Sequence, residues 1–149
     1  MRILIVQTGF LGDIILSTPV IKGIKDLYPD SKIFFLTTPA GRLLIENDPL
    51  VDQVIVYDKR GKEKGLKGIF LTAKKITDLK FHRVYSLHKS FRTSIMLFLA
   101  DISHKTGFKK AILSFIYKVR ETRNSEDHDA IRYLSILSAD RDISLLKLE

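Results

Sequence analysis

The sequence predicts an α/β domain, a parallel sheet with helices on both faces, and two observations predict it. Short apolar runs alternate with segments of helical periodicity along the whole chain. The first run, Ile3-Leu4-Ile5-Val6, is continuous and rich in β-branched residues, which suits a strand buried on both faces in the middle of such a sheet. At 149 residues, 45% of them hydrophobic, residues 1–149 are expected to form one domain with a real core.

The elements follow in order. After the first strand comes Gln7-Thr8-Gly9-Phe10-Leu11-Gly12-Asp13, in which Gly9 and Gly12 allow a tight turn or a close backbone approach. Ile14, Ile15, Leu16, Val20, Ile21, Ile24 and Leu27 then recur at helical spacing. Two starts for this helix are compatible with the residues. Either Asp13 is its N-cap and Pro19 kinks it, or Thr18 caps a helix that begins at Pro19 and Asp13 is freed from capping.

Tyr28-Pro29-Asp30-Ser31 is turn chemistry and Lys32 to Thr37 a second strand. A short helix from Pro39 to about Asn47, capped by Thr37 or Thr38, is stopped by Asp48-Pro49, and Val51 to Tyr57 makes a third strand. A basic, glycine-containing loop from Asp58 to Gly65 leads into a helix of about Leu66 to Leu79. Its core face is expected to be Leu66, Ile69, Phe70, Ala73, Ile76 and Leu79, with lysines opposite. Arg83 to Leu87 is the fourth strand, followed by the polar loop His88-Lys89-Ser90-Phe91-Arg92 and a helix from about Arg92 to Ala100. Lys105 to Phe108 suits a short fifth strand, Ile112 to Val119 satisfies both periodicities, and Asp127 to Ser138 reads as a last helix.

The net charge of +8 is one block. Residues 58 to 92 hold eleven Lys or Arg against three acids, so the remainder of the chain sums to zero. Such a block draws phosphates, anionic sugars or an anionic membrane surface, or is simply a solvated helix face. Nucleic acid is not expected, because the block lacks interleaved aromatics and no DNA or RNA motif is present. With no cysteine, neither disulfides nor a thiolate metal site can form, which fits a reducing compartment. A strand starting almost at Met1 leaves no room for a secretory leader, and no apolar run nears the roughly 18 residues of a membrane span. The expected location is therefore cytoplasmic.

Several chemistries find no support. The glycine spacing is neither G-x-G-x-x-G nor a P-loop, so no cofactor is expected. Asp127-x-Asp129 and Asp140-x-Asp142 resemble metal-holding D-x-D pairs but follow no buried strand, and no metal site is expected. His82, His88, His104 and His128 lack a ligand spacing such as H-E-x-x-H, and there is no G-x-S-x-G elbow.

Several motifs occur together in one order: Met-Arg-Ile-Leu-Ile-Val, Gly12-Asp13-Ile14, Thr18-Pro19-Val20, Asp48-Pro49-x-Val51-Asp52, His88-Lys89-Ser90-Phe91-Arg92-Thr93-Ser94, Thr106-Gly107-Phe108 and His128-x-x-x-Arg132-Tyr133-Leu134. In this the chain resembles the amino-terminal half of the ADP-heptose:lipopolysaccharide heptosyltransferases, in particular the heptosyltransferase II branch. The resemblance implies a Rossmann-like domain, the acceptor-binding half of a two-domain GT-B glycosyltransferase. It also implies inverting, metal-independent transfer of heptose from ADP-heptose to a lipid-linked inner-core sugar, with Asp13 as the general base. A carboxylate within reach of the attacking hydroxyl is what such a transfer wants, and the dipole at a helix N-terminus favours one there.

On this reading Gly9, Gly12, Arg60, Lys62, Lys64, Lys89, Arg92 and Arg120 form the acceptor-binding set, the cations meeting carboxylates and phosphates, with arginine suited to bidentate grip. The family has Gly and Pro where this chain has Asp101 and Ser103, for which a small local cost is expected. Family members carry a second, donor-binding domain beyond the point where this chain ends at Glu149. The chain alone is accordingly expected to be inactive, to contact the inner membrane face peripherally, and to self-associate through a bared interdomain surface. The alternatives are a stand-alone anion-binding module and a nucleotide-binding one.

Overall fold

The computed structural model describes residues 1–108, 119–121 and 135–137. Six strands, β1 (Arg2–Val6), β2 (Lys32–Thr37), β3 (Gln53–Val56), β4 (Arg83–Ser86), β5 (His104–Phe108) and β6 (Val119–Glu121), form one sheet in the order β3-β2-β1-β4-β5-β6. Every pairing is parallel. The β1 strand lies between β2 and β4, and Ile3, Leu4, Ile5 and Val6 are fully buried, as a run with no polar alternation requires.

Helices α1 (Leu11–Leu27) and α2 (Pro39–Ile45) cover one face, where Ile3, Ile5, Ile14, Ile21, Ile24, Phe35 and Ile45 share a core with Ile136 and Leu137 of the 3-10 turn Ser135–Leu137. Helices α3 (Gly65–Asp78) and α4 (Phe91–Leu99) cover the other, packing Ile69, Ala73, Ile76, Met96 and Leu97 on Leu4, Val6, Phe34 and Val84. The chain winds outward from β1 through β2 to β3, then returns to the opposite side of β1 at β4. The strand order thus reverses between β1 and β4, and open α/β sheets bind ligands at the carboxyl ends of the strands at such a reversal.

Neither expected helix start is the observed one. Helix α1 begins at Leu11, its N-cap is Phe10 in extended conformation with no side-chain cap, and Asp13 is in the first turn. An extended Phe10 can enter the helix because Ile14 N–H reaches the Phe10 carbonyl (3.1 Å), and Gln7 Nε2 donates to Ser17 Oγ (3.0 Å) and so pins the turn to the helix. Pro19 does not end the helix either. The carbonyl of Ile15, four residues back, loses the donor that proline lacks, and Thr18 Oγ1 donates to it instead at 2.8 Å. Asp101 is not held in a left-handed conformation. Helix α4 ends in an extended Ala100, and the only non-glycine residue with positive φ among the described residues is Lys80, so no left-handed position is asked of Asp101.

Helix α3 corrects the expected core face. Gly68, Ile69, Thr72, Ala73 and Ile76 are buried, whereas Leu66 and Phe70 stay 65% and 56% exposed. Gly68 explains the rotation, because a Cβ there would stand 1.8 Å from the Glu63 carbonyl oxygen. The basic loop is thus laid directly on the helix, at a spot only glycine permits. Glycine-to-alanine in a helix interior normally gains about 1 kcal/mol. Here Gly68→Ala is expected to lose about 2 kcal/mol through overpacking, while Gly12→Ala, whose Cβ would meet nothing within 4 Å, is expected to be neutral or slightly stabilising. Urea denaturation of the two variants distinguishes them.

Candidate functional site

At the carboxyl edge the loops after β1, β2 and β3 and the end of β4 enclose a cleft of about 480 Å³, lined by Thr8 to Leu11, Thr38 to Ala40, Tyr57 to Arg60 and His88. Thr38 caps α2 through its side chain, accepting from Gly41 N–H at 3.1 Å. The basic loop is closed on itself: Asp58 N–H donates to Glu63 Oε2 (2.9 Å), and the Asp58 carbonyl accepts from Gly61 and Glu63. That closure turns Lys59 and Arg60 toward the cleft.

Thr8, buried and second after β1, joins the loops. Its carbonyl accepts from Lys59 Nζ at 3.0 Å, its hydroxyl meets His88 Nδ1 at 2.8 Å, and Thr93 Oγ1 of α4 lies 3.3 Å away. Ser90, the N-cap of α4, donates to Thr93 Oγ1 at 3.0 Å. A donor sequence from Ser90 to Thr93 to Thr8 to His88 Nδ1 satisfies each hydroxyl, and in that sequence the ring proton is on Nε2.

Electrostatics agree with a neutral ring. Burial, helped by the Lys59 ammonium and opposed by Asp13, pushes the His88 pKa down from 6.5 to about 4. Lys59 is itself held below the usual lysine range, by burial first and then by Arg60 and Arg92. Tyr57, in the cleft wall, is pushed upward by burial, with Arg92 opposing and Glu63 adding to the shift. Its buried hydroxyl has no hydrogen-bond partner among the described residues.

The residues picked out from the sequence divide accordingly. Gly9 and Arg60 line the cleft. Asp13 stands immediately behind Gly9, since a Cβ on Gly9 would lie 3.1 Å from Asp13 Oδ2 and 3.0 Å from Gln7 Oε1. A side chain at position 9 would crowd that carboxylate, which is half-buried and not itself part of the cleft lining. Arg92 is exposed, close enough to act on Tyr57 and Lys59. Lys62 and Lys64 are exposed and outside the lining, Gly12 is exposed on α1, and Lys89 reaches over the Phe108 ring (5.9 Å). Arg120 belongs to β6, and its side chain, like the D-x-D pairs and all but the 3-10 turn of the expected last helix, lies outside the described residues.

Thr8, Lys59, Tyr57, His88 and Thr93 were not singled out as site residues. The one local signal was that Thr8 follows immediately on Gln7 after an uninterrupted apolar strand. Among the described residues no group of three or more His, Asp or Glu could hold a metal ion, and no helix is long and apolar enough to cross a membrane. Chemically the site offers a carboxylate, a neutral imidazole and a phenol hydroxyl beside two or three cations, a set suited to a polyhydroxylic ligand with anionic substituents.

Fold and sequence together define a heptosyltransferase-like chain with the α/β fold of the family 9 glycosyltransferases. The crystal structure of the glycosyl transferase family 9 from Veillonella parvula DSM 2008 superposes with a TM-score of 0.86 at 26% identity, over 93% of this chain and 41% of that one. Escherichia coli heptosyltransferase WaaC, solved with ADP-2-deoxy-2-fluoro heptose, shares the fold at a TM-score of 0.78 and 16% identity, over 94% of this chain and 48% of that one. In sequence, the chain is 23% identical over 109 residues to lipopolysaccharide heptosyltransferase 2 of Salmonella typhimurium strain LT2, a match covering 73% of this chain and 31% of that protein. The chain thus spans about a third of the curated relative and two fifths of the family 9 structure. No family model matches it.

The neutral His88 has a measurable consequence. A folded-state pKa near 4 against 6.5 means that the unfolded chain binds more protons between those values. Stability is therefore full above pH 6.5 and falls as pH drops through this window, by about 2 kcal/mol after allowance for solvent screening at the ring's open edge. Urea denaturation at pH 7 and pH 4.5 should show a smaller loss for His88→Asn than for the unaltered chain.

Proposed function

We propose that these residues are the acceptor side of an inverting, metal-independent glycosyltransferase that moves heptose from ADP-heptose to an anionic, lipid-linked inner-core sugar, with Asp13 as the general base. The observation that carries the reading is the position of Asp13, in the first turn of α1, directly behind the glycine that lines the cleft at the strand reversal. In its support, the sequence relatives bear the name lipopolysaccharide heptosyltransferase 2, and a protein of the same fold was solved with a fluorinated ADP-heptose.

The chemistry proceeds from these residues. An acceptor enters the cleft with its anionic groups on Lys59, Arg60 and Arg92, whose charges act on one another at this corner. Its attacking hydroxyl comes over Gly9, where the missing side chain lets it reach the Asp13 carboxylate. As the oxygen bonds to the sugar carbon and the diphosphate leaves from the opposite face, Asp13 takes the hydroxyl proton. His88, neutral and held by Thr8, donates from Nε2 to a second acceptor oxygen and so orients the sugar without competing for that proton. On this reading the domain is of the GT-B kind and acts in the cytoplasm. The donor is held by the part of the relatives' length that these residues do not cover.

Three measurements test it. Calorimetric titration with an anionic inner-core sugar should show binding that Arg60→Ala weakens about tenfold and Asp13→Asn leaves unchanged; an acceptor that does not bind overturns the reading. With ADP-heptose added, the 149 residues alone should release no ADP. Joined to a donor-binding half, the chain should transfer heptose, and Asp13→Asn should slow it by about 10²-fold or more; a near-normal rate in that variant would move the base elsewhere.

A further inference from the structure

The outer side of α3 carries a second apolar stripe that the core does not use. Leu66, Phe70 and Leu71 are 65%, 56% and 56% exposed, at spacings that put them on one side of the helix. On the same exposed side stand Lys67, Lys74 and Lys75, none of which forms an ion pair among the described residues. Helix α4 packs beside α3 on this face of the sheet and adds exposed Phe91, Phe98 and Leu99. Large apolar side chains left in water at this density mark a contact surface.

Its chemistry selects the occupant. A second copy of the same face, related by a two-fold axis, would set lysines against lysines while trying to bury the apolar tips. An anionic bilayer surface accepts both at once, the tips entering the headgroup boundary and the ammonium groups meeting lipid phosphates. Helix α2 makes the contrast: it also exposes Leu43 and Leu44, but its basic residue is spent on an ion pair, Arg42 to Glu46 at 3.0 Å.

We infer that the outer face of α3 and α4 docks this protein on an anionic membrane surface through Leu66, Phe70 and Leu71 set among lysines. Helices in a parallel α/β sheet run opposite to the strands, so Leu66 and Phe91 lie at the carboxyl edge, on the side where the cleft opens. Docking through Leu66 then brings the α3 side of that edge to the headgroups. If the proposed function holds, a sugar still attached to its lipid can enter without leaving the bilayer; the docking itself does not depend on that reading.

The test is co-sedimentation of the chain with vesicles of phosphatidylcholine, alone and mixed with phosphatidylglycerol, at low and high salt. Binding is expected to the mixed vesicles only, weakening with salt. Lys74→Gln with Lys75→Gln should reduce it about tenfold, and Phe70→Ser with Leu71→Ser by a similar about tenfold factor. Leu43→Ser with Leu44→Ser should leave it unchanged, and the denaturation midpoints of all three pairs should show the fold intact. Three outcomes would overturn the inference: equal binding to neutral vesicles, binding indifferent to the Phe70 and Leu71 pair, or no vesicle binding with self-association that this pair abolishes.

Discussion

The arrangement of the carboxyl edge depends on how one buried residue satisfies its polar atoms. Thr8 leaves β1 at the centre of the sheet, where an unpaired hydroxyl or carbonyl would be costly. Its carbonyl takes the Lys59 ammonium from the loop after β3, and its hydroxyl takes His88 from the loop after β4, with Thr93 of α4 close by. Three segments, each more than fifty residues from it in sequence, converge there because β1 is flanked by β2 on one side and β4 on the other. The Lys59 ammonium and the His88 ring are thus both tied to one residue.

The convergence also sets the electrostatics. Burial first, and then the neighbouring Lys59 ammonium, disfavour the charged imidazole, and the His88 pKa falls to about 4. Asp13 sits across the Gly9 bend from this corner, attached to a helix whose first turn is held by Gln7 and Ser17. Lys59 and Arg60 share the β3 side of the cleft with the Asp58 carboxylate, and Asp13 flanks the turn after β1.

Much of this was legible in the residues themselves. The buried run Ile3 to Val6, the glycine bend and the alternation of elements were enough for a parallel sheet, and each of the first five strands falls within two residues of its expected start. Helix α3 was misread because Leu66 and Phe70 fit the same periodicity as Ile69 and Ala73. Hydropathy cannot choose between adjoining stripes when the deciding residues are Gly68 and Thr72. The start of α1 was misplaced for a related reason: Asp13 has the composition of a cap, while Phe10 has the extended backbone of one. His88 and Lys59 were missed as partners because only strand order unites them through Thr8, and strand order leaves no trace in local periodicity.

Gly68 has one more implication. The Glu63 carbonyl rests against it with no clearance for even a methyl group, so the loop bearing Arg60 and the helix bearing Phe70 have no room to slide past one another at that joint. A push on the outside of the helix would be felt at the rim of the cleft. The two surfaces are mechanically a single part.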